Sequence, residues 1–309
     1  MTSRLALALC TATLAAGSRP PAFAHAVCGS RIFPVTLTMD DPGVSDEATL
    51  PTFTWQRSGA QGGPGPVDEY GFNFEYDKRL TNTLGVALNY GFTVQDTAHD
   101  KTRFGWQNLV ATLKYAGCVS PDHEFQLGAG VQRAFGWTGT RATGADAYGA
   151  TAPTVYMGKG LGDLPIGDLR AMALTGELSY GIADRKLNAL GDNSGSPNSW
   201  TGSFSVQYSI PYLQSQVKDY RLPGWVGRLT PLVETTWTSP QGTANSGGAS
   251  WIVAPGVLYS ADVYQIGVEA LVPANRAAGS HVGVVAQFHV FLDDIFPNTL
   301  GKPVVEWFQ

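Results

Sequence analysis

Four glutamates, Glu75, Glu177, Glu234 and Glu269, stand in stretches whose alternate residues are apolar. Carboxylates held in this way act as general acids and bases, bind a cation, or line a polar path. Lys114 and His289 occupy the same kind of position. Hydrolysis by a serine-type triad needs a nucleophile and a histidine brought together. None of His25, His99, His123, His281 and His289 has an obvious nucleophile in its own segment. His289 therefore reads as a polar filler. The sequence has no H-E-x-x-H, C-x-x-C, P-loop or G-x-S-x-G pattern. Its glycine-rich GKGLG, residues 158–162, lacks the following helix that phosphate binding requires. No cofactor, no metal site and no enzymatic activity are expected.

The elements that position these residues repeat with a period of two. EYGFNFEYDKRL, residues 69–80, sets Tyr70, Phe72, Phe74 and Tyr76 against Gly71, Asn73, Glu75 and Asp77. That is the alternation of a pleated strand. NTLGVALNYGFTVQD, QNLVATLKY and EFQLGAGVQ repeat it over 82–96, 107–115 and 124–132. Further segments follow near 150–160, 172–182, 202–210, 229–238, 251–260, 265–272 and 282–292. With TFTWQR at 52–57 the number of strands is about twelve.

A soluble sandwich would place hydrated charges on the face opposite the apolar one. Here that face is mostly Gly, Ala, Ser, Thr, Asn and Gln, which suits a narrow enclosed lumen. The connections agree. Long, polar segments such as SGAQGGPGPVDE and GWTGTRATGADAYG alternate with short ones such as DKRLTN and SADV, in step with strand parity. The expected fold is all-β, a transmembrane antiparallel up-and-down barrel of about 12 strands. One connection on the short side, residues 211–231, is long, and its part from Tyr212 to Tyr220 fits either a helical turn or a plain loop. Tryptophans gather near strand ends like interfacial girdles, although Trp106 falls on the lumen parity.

Charge exposed to lipid is disfavoured by kcal/mol amounts. Glu75, Lys114, Glu177, Glu234, Glu269 and His289 are accordingly expected to face the lumen. They would form either a mutually neutralising network or a polar, cation-attracting path.

Composition limits the alternatives. The 309 residues are 43% hydrophobic and only 15% charged, against roughly 25% charged in soluble domains. A net charge of −5 without a basic cluster excludes a nucleic-acid partner. The start, with Arg4, LALALCTATLAAG and an A-x-A site, reads as a secretory signal cleaved after Ala24 or Ala26. The residues before Cys10 do not fit a lipoprotein signal. The mature chain then keeps Cys28 and Cys118, and the sequence leaves open whether they pair or stay free. No later apolar run reaches the roughly 18 residues of a membrane helix. The segment from Val27 to about Leu50 precedes the first strand and either plugs the lumen or lies in the periplasm. A Cys28–Cys118 bond would tether it at the inner mouth.

The stretches CGSRIFPVTLTMDDPGVSDEATLPTF, GKGLGDLPIGDLR, YSIPYLQSQVKD, RLTPLVE and QFHVFLDDIFPNTLGKP resemble a set of proteobacterial outer-membrane barrels. That set is similar to the transporter family named after the meta-pathway of phenol degradation. The resemblance implies a Gram-negative outer-membrane barrel passing small hydrophobic or aromatic molecules. It supplies no catalytic or ligand motif. Barrels of this kind often end on an aromatic residue recognised by the insertion machinery. Here the last strand is expected to close near Phe291 or Leu292, with a tail beyond it.

The chain divides into a signal peptide at 1–26, a periplasmic or plug segment at 27–49, the barrel at 50–292 and a tail at 293–309. The expected partners are outer-membrane lipid, the barrel-insertion machinery and a small-molecule substrate of unknown identity. The expected function is passive diffusion through a channel or transporter. The alternative is a non-conducting structural or binding barrel.

Overall fold

A computed structural model describes residues 26–58, 66–97, 101–185, 196–242 and 248–308. The signal segment up to residue 25, with His25, and also His99, lie outside the described residues. The chain first makes a small hairpin of β1 (Ala26–Cys28) and β2 (Arg31–Phe33). The wall begins with β3 (Glu47–Ser58), β4 (Val67–Arg79) and β5 (Leu84–Thr97). A short β6 (Arg103–Trp106) pairs with the upper end of β5. The wall continues through β7 (Val110–Ser120), β8 (Phe125–Ala134), β9 (Ala150–Gly160), β10 (Met172–Ala183) and β11 (Ser199–Tyr208). It finishes with β12 (Leu229–Pro240), β13 (Ser250–Ser260), β14 (Tyr264–Pro273) and β15 (Gly283–Phe291).

Leaving β6 aside, each wall strand pairs antiparallel with the next, and β15 returns to β3 through Val284 opposite Trp55. Twelve strands close without a free edge. Closure matters because an unpaired backbone N–H or C=O in hydrocarbon costs several kcal/mol. The outward parity is apolar: Leu113, Val155 and Val268 are about half exposed. Phe72 stacks on Phe92 at 4.9 Å on this outer face, and Trp237 on Trp251 at 5.7 Å nearer the loops. The short turns and both ends of the described chain lie at one end, the periplasmic one.

Two local features depart from simple alternation. A bulge between Thr49 and Thr52 shifts the β3 ladder, so both threonines face the lumen, and pairing begins at Glu47. Trp106 is corrected from the lumen to the exterior. It belongs to β6, not to the wall strand that follows, and it stacks on Tyr90 at 5.3 Å outside the barrel. On the long periplasmic connection the chain makes a helical turn, α1 (Ile210–Tyr212), that continues through Leu213–Val217. Beyond β15 a second turn, α2 (Leu292–Ile295), leads into the tail.

Cys28 and Cys118 are joined by a disulfide across a sequence separation of 90, tying the first hairpin to the lower end of β7. In the chain-entropy picture a loop of this size contributes about 4 kcal/mol. Replacing both cysteines by serine is expected to lower the temperature at which the compact, unboiled form is lost in detergent electrophoresis, while leaving that form present at room temperature. Loss of the compact band at room temperature would mean that the wall itself depends on the bond.

Candidate functional site

The lumen is organised by the segment between β2 and β3, which crosses it from the periplasmic side. Its first anchor is Arg31, fully buried. The guanidinium donates to Glu124 Oε2 (3.1 Å) and to the carbonyls of Ala171 (3.2 Å) and Arg170 (2.7 Å), and it stacks on the Tyr212 ring at 3.5 Å. Burial pulls Arg31 below its ordinary pKa while Glu124 opposes this. Three periplasmic connections thus meet on one side chain.

From there the segment runs along the wall. Leu37 packs with Leu232, Ala254, Leu258, Leu271 and Val285, an apolar cluster on the inner face of β12–β15. The Thr38 amide (2.9 Å) and hydroxyl donate to Glu234. The Asp40 amide donates to Glu177. Lys114 is spent on the segment as well, donating to Asp40 Oδ1 (2.8 Å), to the Asp41 carbonyl (3.1 Å) and to Asp41 Oδ1 (3.3 Å). Burial pushes both aspartates above the ordinary carboxylate range, against the pull of Lys114. Asp46 completes the path by accepting from Lys78 and Arg79 at the foot of β4.

Wall glycines make room for this segment. A Cβ on Gly267 would lie 2.4 Å from Leu37 Cδ1, and one on Gly158 would lie 2.8 Å from Pro42 Cγ. The glycine-rich GKGLG is therefore part of a seat for chain, since a side chain at its first position would collide with the segment.

Above the segment lies a cup of about 510 Å³, floored by residues 35–40 and extending to Gly181 and Ser199 near the long loops. Its lining is mostly amide, hydroxyl and carboxylate, with Val35, Leu37, Met39 and Ala152 between them, and among the described residues it holds no Lys, Arg, His or aromatic side chain. Cavities of about 310 and 240 Å³ at the periplasmic end share no lining residue with it.

The sequence-derived site residues therefore separate. Glu75 and Glu177 line the cup. Glu234 and Glu269 are buried together on the apolar side, outside the cup lining. Lys114 is consumed by the segment. His289 is buried beneath, with Nδ1 at 2.9 Å from Thr49 Oγ1 and Nε2 at 2.8 Å from Glu47 Oε2. That trio has the atom types of a triad, but Thr49 and His289 are almost fully buried, so it reads as structural. One neighbouring strand, β3, supplies both partners, which is why the segment around His289 does not reveal them. Arg31 and Asp46 were missed because neither lies in an alternating strand. Among the described residues, no group of three or more His, Cys, Asp or Glu is placed to hold a metal ion.

At the periplasmic rim the tail returns under the barrel. Lys78 donates to the carbonyls of Leu300 and Lys302, and Arg79 to that of Gly301. Asp293 lies 3.5 Å from Arg79.

No family model and no curated protein matches the chain. Among solved structures it is similar to the NanC porin (14% identity, TM-score 0.47, covering 78% of this chain and 98% of that one). It is also similar to the KdgM porin (8%, 0.44, 79% and 98%). A third is the translocator domain of the autotransporter NalP from Neisseria meningitidis (11%, 0.41, 82% and 88%).

Two outcomes are expected. Arg31→Met strands Glu124 without its charge partner, a loss of roughly 3 kcal/mol. Amide exchange over residues 31–46 should accelerate about a hundredfold, with wall amides unchanged. Uniform acceleration would show that Arg31 holds the whole barrel. Burial also pushes the Asp293 carboxyl up to about 7, against the pull of Arg79. The folded state then holds a proton that the unfolded one releases near pH 4, so stability falls as pH rises between about 4 and 7. Asp293→Asn should remove that fall. Its gain in unfolding temperature should be larger at pH 8 than at pH 4, and an equal gain at both would refute burial as the cause.

Proposed function

We propose that this outer-membrane barrel is a channel-type protein that admits small polar solutes from outside into the cup and passes them on when the lumenal segment shifts. The observation that carries this reading is the polar cup floored by a segment that is tied to the wall at its ends and seated in glycine-lined space between them. Twelve strands fall between small side-chain-filled barrels and wide aqueous porins. A narrow, regulated conduit suits that size. The transport is diffusion down a gradient, since nothing in the described site couples to an energy source. Small aromatic or hydrophobic permeants, which the meta-pathway resemblance implies, find no aromatic ring among the described residues of the cup lining. The lining instead supports hydrogen-bonding solutes.

A second reading is a non-conducting scaffold. The number of ion pairs holding the segment supports it. The two separate in planar bilayers. Replacing residues 34–43 by a Gly-Ser stretch of equal length keeps Cys28, Arg31 and Asp46 but removes the floor. A channel should then conduct several-fold more than the parent chain. Silence in both forms would leave only the scaffold.

A further inference from the structure

We infer that the cup is a binding site for small organic cations carrying one or two primary ammonium groups. The inference rests on the cup being reached by solutes, as in the reading above, and it follows from where the hydrogen-bond donors go. Asn73 Nδ2 donates to Asn89 Oδ1 (2.8 Å) and to Gln107 Oε1 (2.9 Å). Asn89 in turn donates to Glu75 Oε2 at 2.7 Å. Gln132 donates to Glu177 Oε1 at 3.1 Å. The amide donors are thus turned along the wall and end on the two carboxylates. Apart from the Ser and Thr hydroxyls, which both donate and accept, what remains to face a solute is acceptor.

Gln287 gives an independent indication. It lines the same cup and is 8% exposed, its amide donates to Thr52 Oγ1 at 3.0 Å, and its carbonyl oxygen has no partner. A nearly buried acceptor without a donor is the complement of a solute N–H.

Charge points the same way. Lys114, the basic group nearest the floor, is matched by Asp40 and Asp41. Glu75 and Glu177 receive hydrogen bonds from neutral amides, those of Asn89, Gln132 and the Asp40 backbone. Two cup-lining carboxylates whose hydrogen-bond donors are neutral attract a cation, and charge-assisted hydrogen bonds are the strong ones. A chelated metal ion fits less well. The acids stand on β4 and β10, five strands apart around the wall, and no three ligating groups converge among the described residues. A cup of about 510 Å³ instead takes a whole organic molecule.

The test uses the full mature chain, folded in detergent, with calorimetric titration of three probes of matched length: putrescine, 1,4-butanediol and succinate. Saturable, salt-sensitive binding of putrescine is expected, at least about tenfold tighter than of either other probe. Glu75→Gln with Glu177→Gln should weaken putrescine binding by about tenfold or more, while Glu306→Gln on the periplasmic tail leaves it unchanged. Heat-modifiable migration verifies that each variant is folded. If the double variant fails to fold, discrimination among the three probes by the parent chain decides alone. Equal binding of putrescine and 1,4-butanediol, or unchanged putrescine binding in the folded double variant, overturns the inference. Putrescine binding in a chain that is silent in bilayers would refute the channel and leave the cation site standing. Conductance without preference for putrescine would do the reverse.

Discussion

A charge turned inward from a lipid-facing wall must find a partner in the lumen, and most of this molecule's interior follows from that requirement. Removing one member of a buried pair costs several kcal/mol. The lumenal segment supplies the missing members one after another: Arg31 for Glu124, Thr38 for Glu234, Asp40 and Asp41 for Lys114, and Asp46 for Lys78 and Arg79. It acts less as an obstruction than as a complement to the wall. Where the wall instead turns Leu232, Leu258 and Val285 inward, the segment answers with Leu37.

The interior is thereby divided. The β12–β15 side is packed, and it encloses Glu234 and Glu269. The opposite side keeps amides, hydroxyls and three carboxylates, those of Asp40, Glu75 and Glu177, around the cup. A single lumen thus holds a core and a binding surface side by side. The same residue type, glutamate, is packed away on one side and lines the open cup on the other, according to what surrounds it.

The sequence made the wall legible and the interior much less so. Period-two alternation is enforced by lipid on every strand, so the twelve strands and the inward parity of Glu75, Glu177, Glu234 and Glu269 could be read directly. Parity says which face a residue takes, but not which cross-lumen neighbour it meets. The division between Glu75 and Glu234 therefore had no signal. Trp106 misled because the register against β5 slips by one residue between β6 and β7, which gives β6 a parity of its own. Arg31 lies in a three-residue strand, too short to show a period, and Asp46 in irregular chain, so their partners are set by tertiary placement alone. The close approach of Leu37 to Gly267 explains a small residue only once the segment is seen beside it.

The rim beneath β3 and β15 has a further consequence. In a closed sheet made by one polypeptide, the seam between first and last strands is the place where strands meet without a connecting turn. Here Asp46, the residue before β3, and the carbonyls of residues 300–302, beyond β15, converge on the same two side chains, Lys78 and Arg79. The Asp46 carbonyl also accepts from the amides of Leu292 and Asp293. The seam is stapled from below by the stretches that flank the first and last wall strands. Such a staple needs residues 300–302, so the segment beyond the last wall strand locks the first one, and sideways parting of the wall into the bilayer is opposed at the joint where it would otherwise begin.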